Sequence, residues 1–288
     1  MSKNIISNTP KSEHQLITEA VNAHGIFFKI AVRNTLEQIE GVTILGEEYP
    51  VRYMEGASLD LLVEFTTTKF RYIFPIECKR AYVANKRWLF FKDSDNYSKI
   101  LYYFTGKELN VLGSAPFTNL GVPVCIEGIQ VDLQEFHKSN ASTYKAASPD
   151  AIWKAAFQSC KGSLGFIKQE FVQRSQSLEN PPDFIVFPLL ITTAPIYICE
   201  LSQGAVDVLS GNHKGEIIPK DVQWLILCHP FTPIESLGAQ HLKVDLTGYI
   251  SPKERGIHSK EGVLVINSSY LPQFFKQLLP ELDRELCK

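Results

Sequence analysis

The segment from Val42 to Lys79 constrains the fold most strongly, because three β-strand patterns follow one another there with only short turns between them. The short connection between the second and third patterns favours antiparallel pairing. Pro75 in the third pattern donates no ladder hydrogen bond, so a bulge or an exposed edge is expected near it. The expected strands are Val42 to Tyr53, Ser58 to Phe65 and Phe70 to Lys79.

Three charged side chains are expected to meet where the second and third strands pair. Asp60 lies near the start of one strand, and Glu77 and Lys79 end the next. Strand alternation puts Glu77 and Lys79 on one face, and antiparallel pairing brings the face of Asp60 beside it. Two carboxylates with an ammonium can bind a hard divalent cation, most naturally Mg²⁺, which polarises a phosphodiester and acidifies a water. The lysine can orient that water or stabilise developing negative charge.

The Glu77-Cys78-Lys79 triplet is notable for its context. In a chain with 31 acidic and 29 basic residues among 288, an acid-x-base triplet is expected by chance about three times. Glu77 is nevertheless the only Glu with a Lys two positions later, and Asp60 lies in matching phase on the preceding strand. The alternative interpretation is a surface ion pair at a strand end.

Helical patterns flank the strands. Ser12 and Gln15 form a capping-box pattern, and the helix that they open is expected to run toward Glu40 with a weak point at Gly25. Glu13 projects onto the apolar face of this helix, where an acid is either badly placed or functional, although its first-turn position also suits the helix dipole.

A second helical segment is expected from Asp150, followed by one or two buried strands between Asp183 and Leu201. A terminal helix is expected from Ser269 to Leu286. The region between Arg80 and Asp150 has no readable fold apart from a strand pattern near Val122 to Val131. The apolar stripe of the second helix comprises Trp153, Phe157, Cys160, Leu164, Ile167 and Phe171.

Composition excludes several classes of protein. With 44% hydrophobic and 21% charged residues, the chain is neither fibrous nor disordered. The six cysteines are widely spaced, which favours neither a disulfide framework nor a structural zinc site and suits a reducing cytoplasm. The N-terminal stretch lacks a secretory signal pattern and no apolar run has the length of a membrane span, so cytoplasmic localisation and no membrane partner are expected.

The charge of the chain is unevenly distributed. The net charge is -2, yet the segment from Thr66 to Lys107 contains nine basic and three acidic residues with aromatic residues interleaved. Arg80, Lys86 and Arg87 follow the triplet closely. Such cations can neutralise the phosphates of a nucleic acid while aromatic faces stack on bases. The same composition also fits a solvated charged loop.

The order of the expected elements resembles the core of the PD-(D/E)XK, or restriction-endonuclease-like, nucleases. That order is a helix, a strand, the strand with Asp60, the strand ending in Glu77-Cys78-Lys79, and then a helix and a strand. The resemblance runs from about Ser12 to Leu201. It implies an α/β fold whose restriction-endonuclease-like core has a mixed central sheet flanked by helices. Residues 1–201 would form this core with an insertion at about 80–150, and residues 202–288 a C-terminal extension that completes the fold, dimerises or contacts DNA.

Site roles follow from the resemblance position by position. Asp60 and Glu77 would be the metal-binding acids, and the main-chain carbonyl of Cys78 a further ligand. Lys79 would be the catalytic lysine. Glu13 would match the acid that many members carry on the first helix.

Two residues on the following helix are candidates for contact with nucleic acid. Gln158 and Lys161 match positions where some members carry Gln or Lys near the site, although helical phase places both toward solvent. Leu59 stands where the motif that names the family has Pro.

The expected function is therefore a metal-dependent endonuclease that hydrolyses DNA, with Mg²⁺ as cofactor and Mn²⁺ as a substitute, in restriction or another genome-defence role. Because the chain is mildly acidic, affinity for DNA is expected to come from sequence specificity, a homodimer or a partner protein. The alternatives are a catalytically silent module of the same fold that binds nucleic acid or protein, and a phosphodiesterase that acts on RNA or a nucleotide.

Overall fold

The computed structural model describes residues 12–23, 25–50, 58–81, 86–92, 101–105, 108–112, 115–134, 150–176, 183–200, 207, 209–210, 212–229 and 261–287. Its strands form one mixed sheet, with helices packed on both faces. The predicted α/β class with a mixed central sheet is therefore confirmed. None of the described helices combines the length and the hydropathy needed to cross a membrane.

The helices are α1 (Glu13–Ala23), α2 (Ile26–Glu37), α3 (Ala115–Asn119) and α4 (Asp150–Gln176). The strands are β1 (Val42–Pro50), β2 (Ser58–Thr66), β3 (Arg71–Lys79), β4 (Lys86–Lys92), β5 (Leu101–Thr105), β6 (Glu108–Leu112), β7 (Val124–Asp132), β8 (Phe184–Val186), β9 (Leu189–Thr192), β10 (Ile196–Cys199), β11 (Lys220–Val222), β12 (Trp224–His229) and β13 (Glu261–Asn267). The C-terminal helical segment contains a 3-10 turn at Ser268–Tyr270, α5 (Leu271–Gln273), a π-helical stretch at Phe274–Leu278 and α6 (Leu279–Leu286).

The N-terminal helices form as the sequence predicts. The main-chain N–H of Ser12 donates to Oε1 of Gln15 at 2.9 Å, and the N–H of Gln15 donates to Oγ of Ser12 at 3.3 Å, which completes the capping box. Gly25 adopts a φ of 74° and separates α1 from α2. The apolar face of α1 lies at the surface, since Leu16 is 53% and Ile17 54% exposed.

Pro75 lies in the interior of the sheet, so the expectation of an exposed edge there is wrong. It pairs with Leu62 of β2 on one side of β3, while β8 and β9 run parallel to β3 on the other side. The ladder between β3 and these two strands is interrupted where Phe187 and Pro188 separate β8 from β9. The Pro75 carbonyl accepts a hydrogen bond from Oγ of Ser159 at 2.9 Å. A gap in the ladder thus accommodates the proline.

The sheet curls back on itself beyond β9. From β9 to β10 the strand order is β9-β13-β12-β7-β4-β10, which would separate these strands by about 24 Å in a flat sheet. Only residues 193–195 connect them in the chain, and an extended connection of that length reaches about 14 Å. The sheet must therefore bend around α4, against which Leu190, Ile196 and Val265 pack.

The opposite face of the sheet carries a second core. Val32 and Leu36 of α2 pack there with Phe74 of β3 and with aromatic residues of the C-terminal helical segment. The hydroxyl of Tyr72 donates a hydrogen bond to the buried carboxylate of Asp283. Residues 261–287 are therefore joined to the same sheet as β3.

Several sequence expectations are corrected. Phe157, assigned to the apolar stripe of α4, is 38% exposed, whereas Cys160, Leu164 and Ile167 of that stripe are buried. In the region after Arg80 the sequence predicts only one strand, and the structure has β4, β5, β6 and α3 there as well. Residues 93–100 and 135–149 of that region lie outside the described residues.

Candidate functional site

Asp60 and Glu77 are neighbours at the end of the β2–β3 pair. The last paired residues are Leu61 and Ile76, so the next residue on each strand is one of the two acids. Oδ2 of Asp60 accepts a hydrogen bond from the main-chain N–H of Cys78 at 2.7 Å. The convergence predicted from strand phase is therefore observed, and the main chain of β3 fixes the carboxylate of Asp60.

The carboxyl group of Glu77 is buried, with 3% of the residue exposed. Burial, and after it the negative charge of Asp60, raise its pKa to about 7, although the ammonium of Lys79 acts in the opposite direction. Nζ of Lys79 donates to Oε2 of Glu77 at 3.2 Å. Near neutral pH this carboxyl is thus about half protonated, and a cation bound beside it would favour the charged form.

The side chain of Cys78 belongs to the core on the α2 side of the sheet. Burial raises the pKa of its thiol well above its ordinary value of 9.0, and the charges of Asp60 and Glu77 act in the same direction. The thiol is therefore neutral at physiological pH, which suits a packing role and leaves the main-chain carbonyl as the group that Cys78 can offer to a metal ion.

Helix α4 reaches the site through Gln158. Nζ of Lys79 donates to Oε1 of Gln158 at 3.3 Å, and Gln158 is exposed, as helical phase predicts. Two contacts hold α4 there: the hydrogen bond from Ser159 to Pro75, and the packing of Gly162 on Leu59. A Cβ at Gly162 would lie 2.3 Å from Cδ2 of Leu59, so glycine permits this close approach.

A cleft of about 360 Å³ opens beside Asp60. The sheet lines it with Asp60, Cys78, Lys79 and Arg80, and the α1–α2 region lines it with Gly25, Ile26 and Lys29, facing Glu48 of β1. Lys29 forms an ion pair with Glu48. We call this the first cleft; it combines one carboxylate of the site with three basic side chains.

A second cleft, of about 430 Å³, is also lined by Lys79. Its lining comprises Lys79, Ala151, Lys154, Phe157 and Gln158. Lys79 and Gln158 thus connect it to the acidic pair. Lys79 contributes to the lining of both clefts.

The remaining predicted site residues lie apart from the acidic pair. Glu13 is exposed in the first turn of α1 and is absent from the lining of both clefts. Lys86 and Arg87 begin β4, which is brought toward the end of β3 because the N–H of Trp88 donates to the Pro195 carbonyl at 3.0 Å. Lys161 is on α4, with Nζ 4.9 Å from the centroid of the Phe157 ring.

Sequence reasoning missed Lys29, Glu48, Lys154 and Phe157 among the cleft residues. Lys29 and Glu48 reach the first cleft only through the packing of α2 on β1, which no local pattern reports. Phe157 had helical spacing typical of a core residue. The basic residue Lys154, three positions before it, was the available signal that this part of the helix faces outward.

The acids fit a hard divalent cation. Within the described ranges no group of three or more Asp, Glu, His or Cys side chains is arranged to hold a metal ion. Asp60 and Glu77 nevertheless supply two carboxylates, and Mg²⁺ typically binds one or two carboxylates while keeping several waters and substrate oxygens.

Comparison of the chain with protein-family models, with curated proteins and with solved structures finds no match in any of the three.

Proposed function

We propose that the protein is a Mg²⁺-dependent nuclease of the PD-(D/E)XK type that hydrolyses DNA phosphodiester bonds. The observation that carries the proposal is the position of Asp60, Glu77 and Lys79 at one end of the β2–β3 pair. Oxygen-donor acids beside a fixed ammonium are suited to binding a metal ion and to stabilising charge on a phosphate.

The connectivity around the site supports the proposal. β1, β2 and β3 pair antiparallel in succession, α4 packs on β2 and β3, and β8 and β9 then run parallel to β3. This is the order of elements expected for a restriction-endonuclease-like core. It supports that core as the finer description of the α/β fold.

Asp60 and Glu77 would hold the cation through their carboxylates, and Cys78 through its main-chain carbonyl. Bound there, Mg²⁺ would polarise the phosphodiester and lower the pKa of a water, and Mn²⁺ could take its place. The ammonium of Lys79 has three donors, two of which are directed at Glu77 and Gln158. The third can donate to the attacking water or to a phosphate oxygen.

The first cleft would hold the strand around the scissile phosphate. Lys29 and Arg80 line it with Asp60 and can neutralise neighbouring phosphates. Attack by water forms a new P–O bond, the bond to one bridging oxygen breaks, and that oxygen leaves with a proton. Lys79 stabilises the negative charge that develops on the phosphate.

A cleavage assay tests the proposal. Purified protein is incubated with circular and linear duplex DNA in Mg²⁺, Mn²⁺ or EDTA, beside Asp60→Asn and Lys79→Ala. Lys220→Ala is a matched control, because Lys220 also pairs with a carboxylate, that of Glu200 at 3.3 Å, on the exposed surface. We expect metal-dependent cutting that falls by about 100-fold or more in both site variants and is unchanged in the control. Cutting of circular DNA would establish endonuclease action.

A catalytically silent binding module is the second candidate. It is favoured by the absence, among the described residues, of a third metal-ligating side chain near Asp60 and Glu77. It predicts DNA binding that survives EDTA, together with no cutting of DNA in either metal. Labelled RNA and nucleotides in the same assay would identify a phosphodiesterase with a different substrate.

A further inference from the structure

The second cleft contains a surface feature that the proposed chemistry does not use. Phe157 is 38% exposed, whereas Ala156 beside it and Cys160 one turn later are buried. Phe157 thus lies on the exposed face of α4, and an aromatic ring there, in the lining of a cleft of about 430 Å³, is positioned to contact a ligand.

Basic side chains flank this ring along α4. Lys154 lies three residues before Phe157, Lys161 lies four residues after it, and helical geometry puts all three on one face. Nζ of Lys161 is 4.9 Å from the ring centroid, and Lys154 lines the same cleft as the ring. An aromatic ring in a basic groove is the combination by which proteins bind single-stranded nucleic acid, the ring stacking on a base and the cations contacting its phosphates.

The position of the Phe157 ring relative to Lys79 indicates which part of a substrate the ring would contact. Gln158 follows Phe157 directly and accepts the hydrogen bond of Lys79, and both Lys79 and Gln158 line the second cleft. A phosphate at Lys79 would therefore place its neighbouring nucleotide within this cleft. A base inside a duplex has both faces covered by its neighbours, so only an unpaired base can stack on a protein ring.

We propose that the second cleft is a nucleobase site in which Phe157 stacks on the unpaired base next to the scissile phosphate, while Lys154 and Lys161 contact the adjoining phosphates. This inference rests on the proposed function and deepens it, because it makes single-stranded DNA, or a single-stranded segment of a duplex, the preferred substrate.

Binding without metal tests the base site separately from catalysis. Fluorescein-labelled single-stranded DNA, blunt duplex DNA of the same sequence and the corresponding RNA are titrated in EDTA with wild type, Phe157→Ala, Phe157→Leu and Phe157→Tyr. Thermal unfolding confirms that each variant is folded. We expect the Ala and Leu variants to bind single strands about 5- to 150-fold more weakly, with duplex affinity changed by less than about twofold. The Tyr variant should bind as wild type does.

Three results would each overturn the base site. In the first, Phe157→Ala loses equal affinity for single strands and for duplex. In the others, its single-strand affinity is unchanged, or wild type does not bind single strands at all. Binding of RNA alone that depends on Phe157 would support the base site. The cleavage assay with wild type separates the two proposals: cutting that is insensitive to Phe157→Ala on every substrate overturns only the base site. Stacking that persists without any cutting supports the base site while contradicting the nuclease.

Discussion

The carboxylate of Asp60 accepts the main-chain N–H of Cys78 at 2.7 Å, so one acid of the site is fixed by the strand that carries the other. A carboxylate held by a backbone donor loses little conformational freedom when it binds a metal ion. Asp60 and the Glu77-Cys78-Lys79 triplet are therefore structurally coupled, although 17 residues separate Asp60 from Cys78 in the sequence.

Mg²⁺ should stabilise the folded protein through this acidic pair. At a concentration ten times its dissociation constant, a cation that binds only the folded state adds about 1.4 kcal/mol, which corresponds to a rise in Tm of roughly 2–3 °C for a chain of this size. Asp60→Asn should abolish the rise, since Asn retains an acceptor for the Cys78 N–H but has no charge. Glu200→Gln, at an exposed carboxylate, should preserve it. An equal rise in Asp60→Asn would place the metal elsewhere.

The buried carboxyl of Glu77 predicts a pH dependence of stability. Because its pKa is raised from 4.5 to about 7 by folding, the folded state binds the proton more tightly. Its favourable contribution is complete below pH 4.5 and is lost as the pH rises through about 7. In EDTA, wild type should therefore lose about 2 to 3 kcal/mol more of its free energy of unfolding between pH 5 and pH 8 than Glu77→Gln does.

Urea unfolding at the two pH values measures this difference, and Glu200→Gln is its control. Lys220 lowers the pKa of Glu200, so that carboxylate changes the free energy of unfolding only below pH 4.5. Glu200→Gln should therefore lose as much stability between pH 5 and pH 8 as wild type does. Parallel pH profiles for wild type and Glu77→Gln would show that Glu77 titrates normally in the folded state.

Gln158 should act as a positioning residue for Lys79. Removing one neutral hydrogen-bond partner costs about 0.5–1.5 kcal/mol, so Gln158→Ala should lower the single-turnover cleavage rate about 2- to 12-fold. DNA affinity measured in EDTA should stay within about twofold of wild type. Gln173→Ala, at an exposed position of the same helix, should change neither quantity. A loss of affinity without a loss of rate would instead make Gln158 a DNA contact.

Gly162→Ala should destabilise the protein. A Cβ there would lie 2.3 to 2.8 Å from three side-chain atoms of the buried residue Leu59. Overpacking costs about 1–3 kcal/mol, whereas replacing Gly by Ala inside a helix gains about 1, so a net loss of about 1 kcal/mol is expected. In a Leu59→Ala background the overpacking is absent, so Gly162→Ala should there raise the free energy of unfolding through its higher helix propensity. A double-mutant cycle measured by urea unfolding would detect this difference. Additive effects would contradict the contact.

The part of the site that could be predicted from sequence is the part encoded by strand phase. Asp60 and Glu77 follow from alternation in two strands joined by a short turn, because register and turn length leave few pairings. Phe157 was misjudged for a different reason, whereas Gln158 is exposed as its helical phase predicts. Helical periodicity finds the apolar direction of α4, but the curl of the sheet around this helix decides which of its flanks remains open.

The order of the strands could not be read from sequence for a related reason. β12 and β13 have ordinary apolar patterns, and nothing in them indicates that they lie between β7 and β9. Long-range pairing depends on the complementarity of whole faces, which no local window contains. Pro75 is limited by the same dependence on distant residues. The sequence shows that it has no N–H to donate, but the gap between β8 and β9 that accommodates it lies more than 100 residues away.

The central position of β13 also bears on how the chain is made. Because β13 begins at Glu261, well after β9 ends at Thr192, one edge of β9 is uncovered until β13 has been synthesised. Until then β9 offers unpaired backbone groups to any other extended chain, and unpaired strand edges are where nascent proteins associate wrongly. The sheet therefore stays open at its middle between the synthesis of β9 and that of β13, and a folding helper that covers β9 would be most useful during that interval.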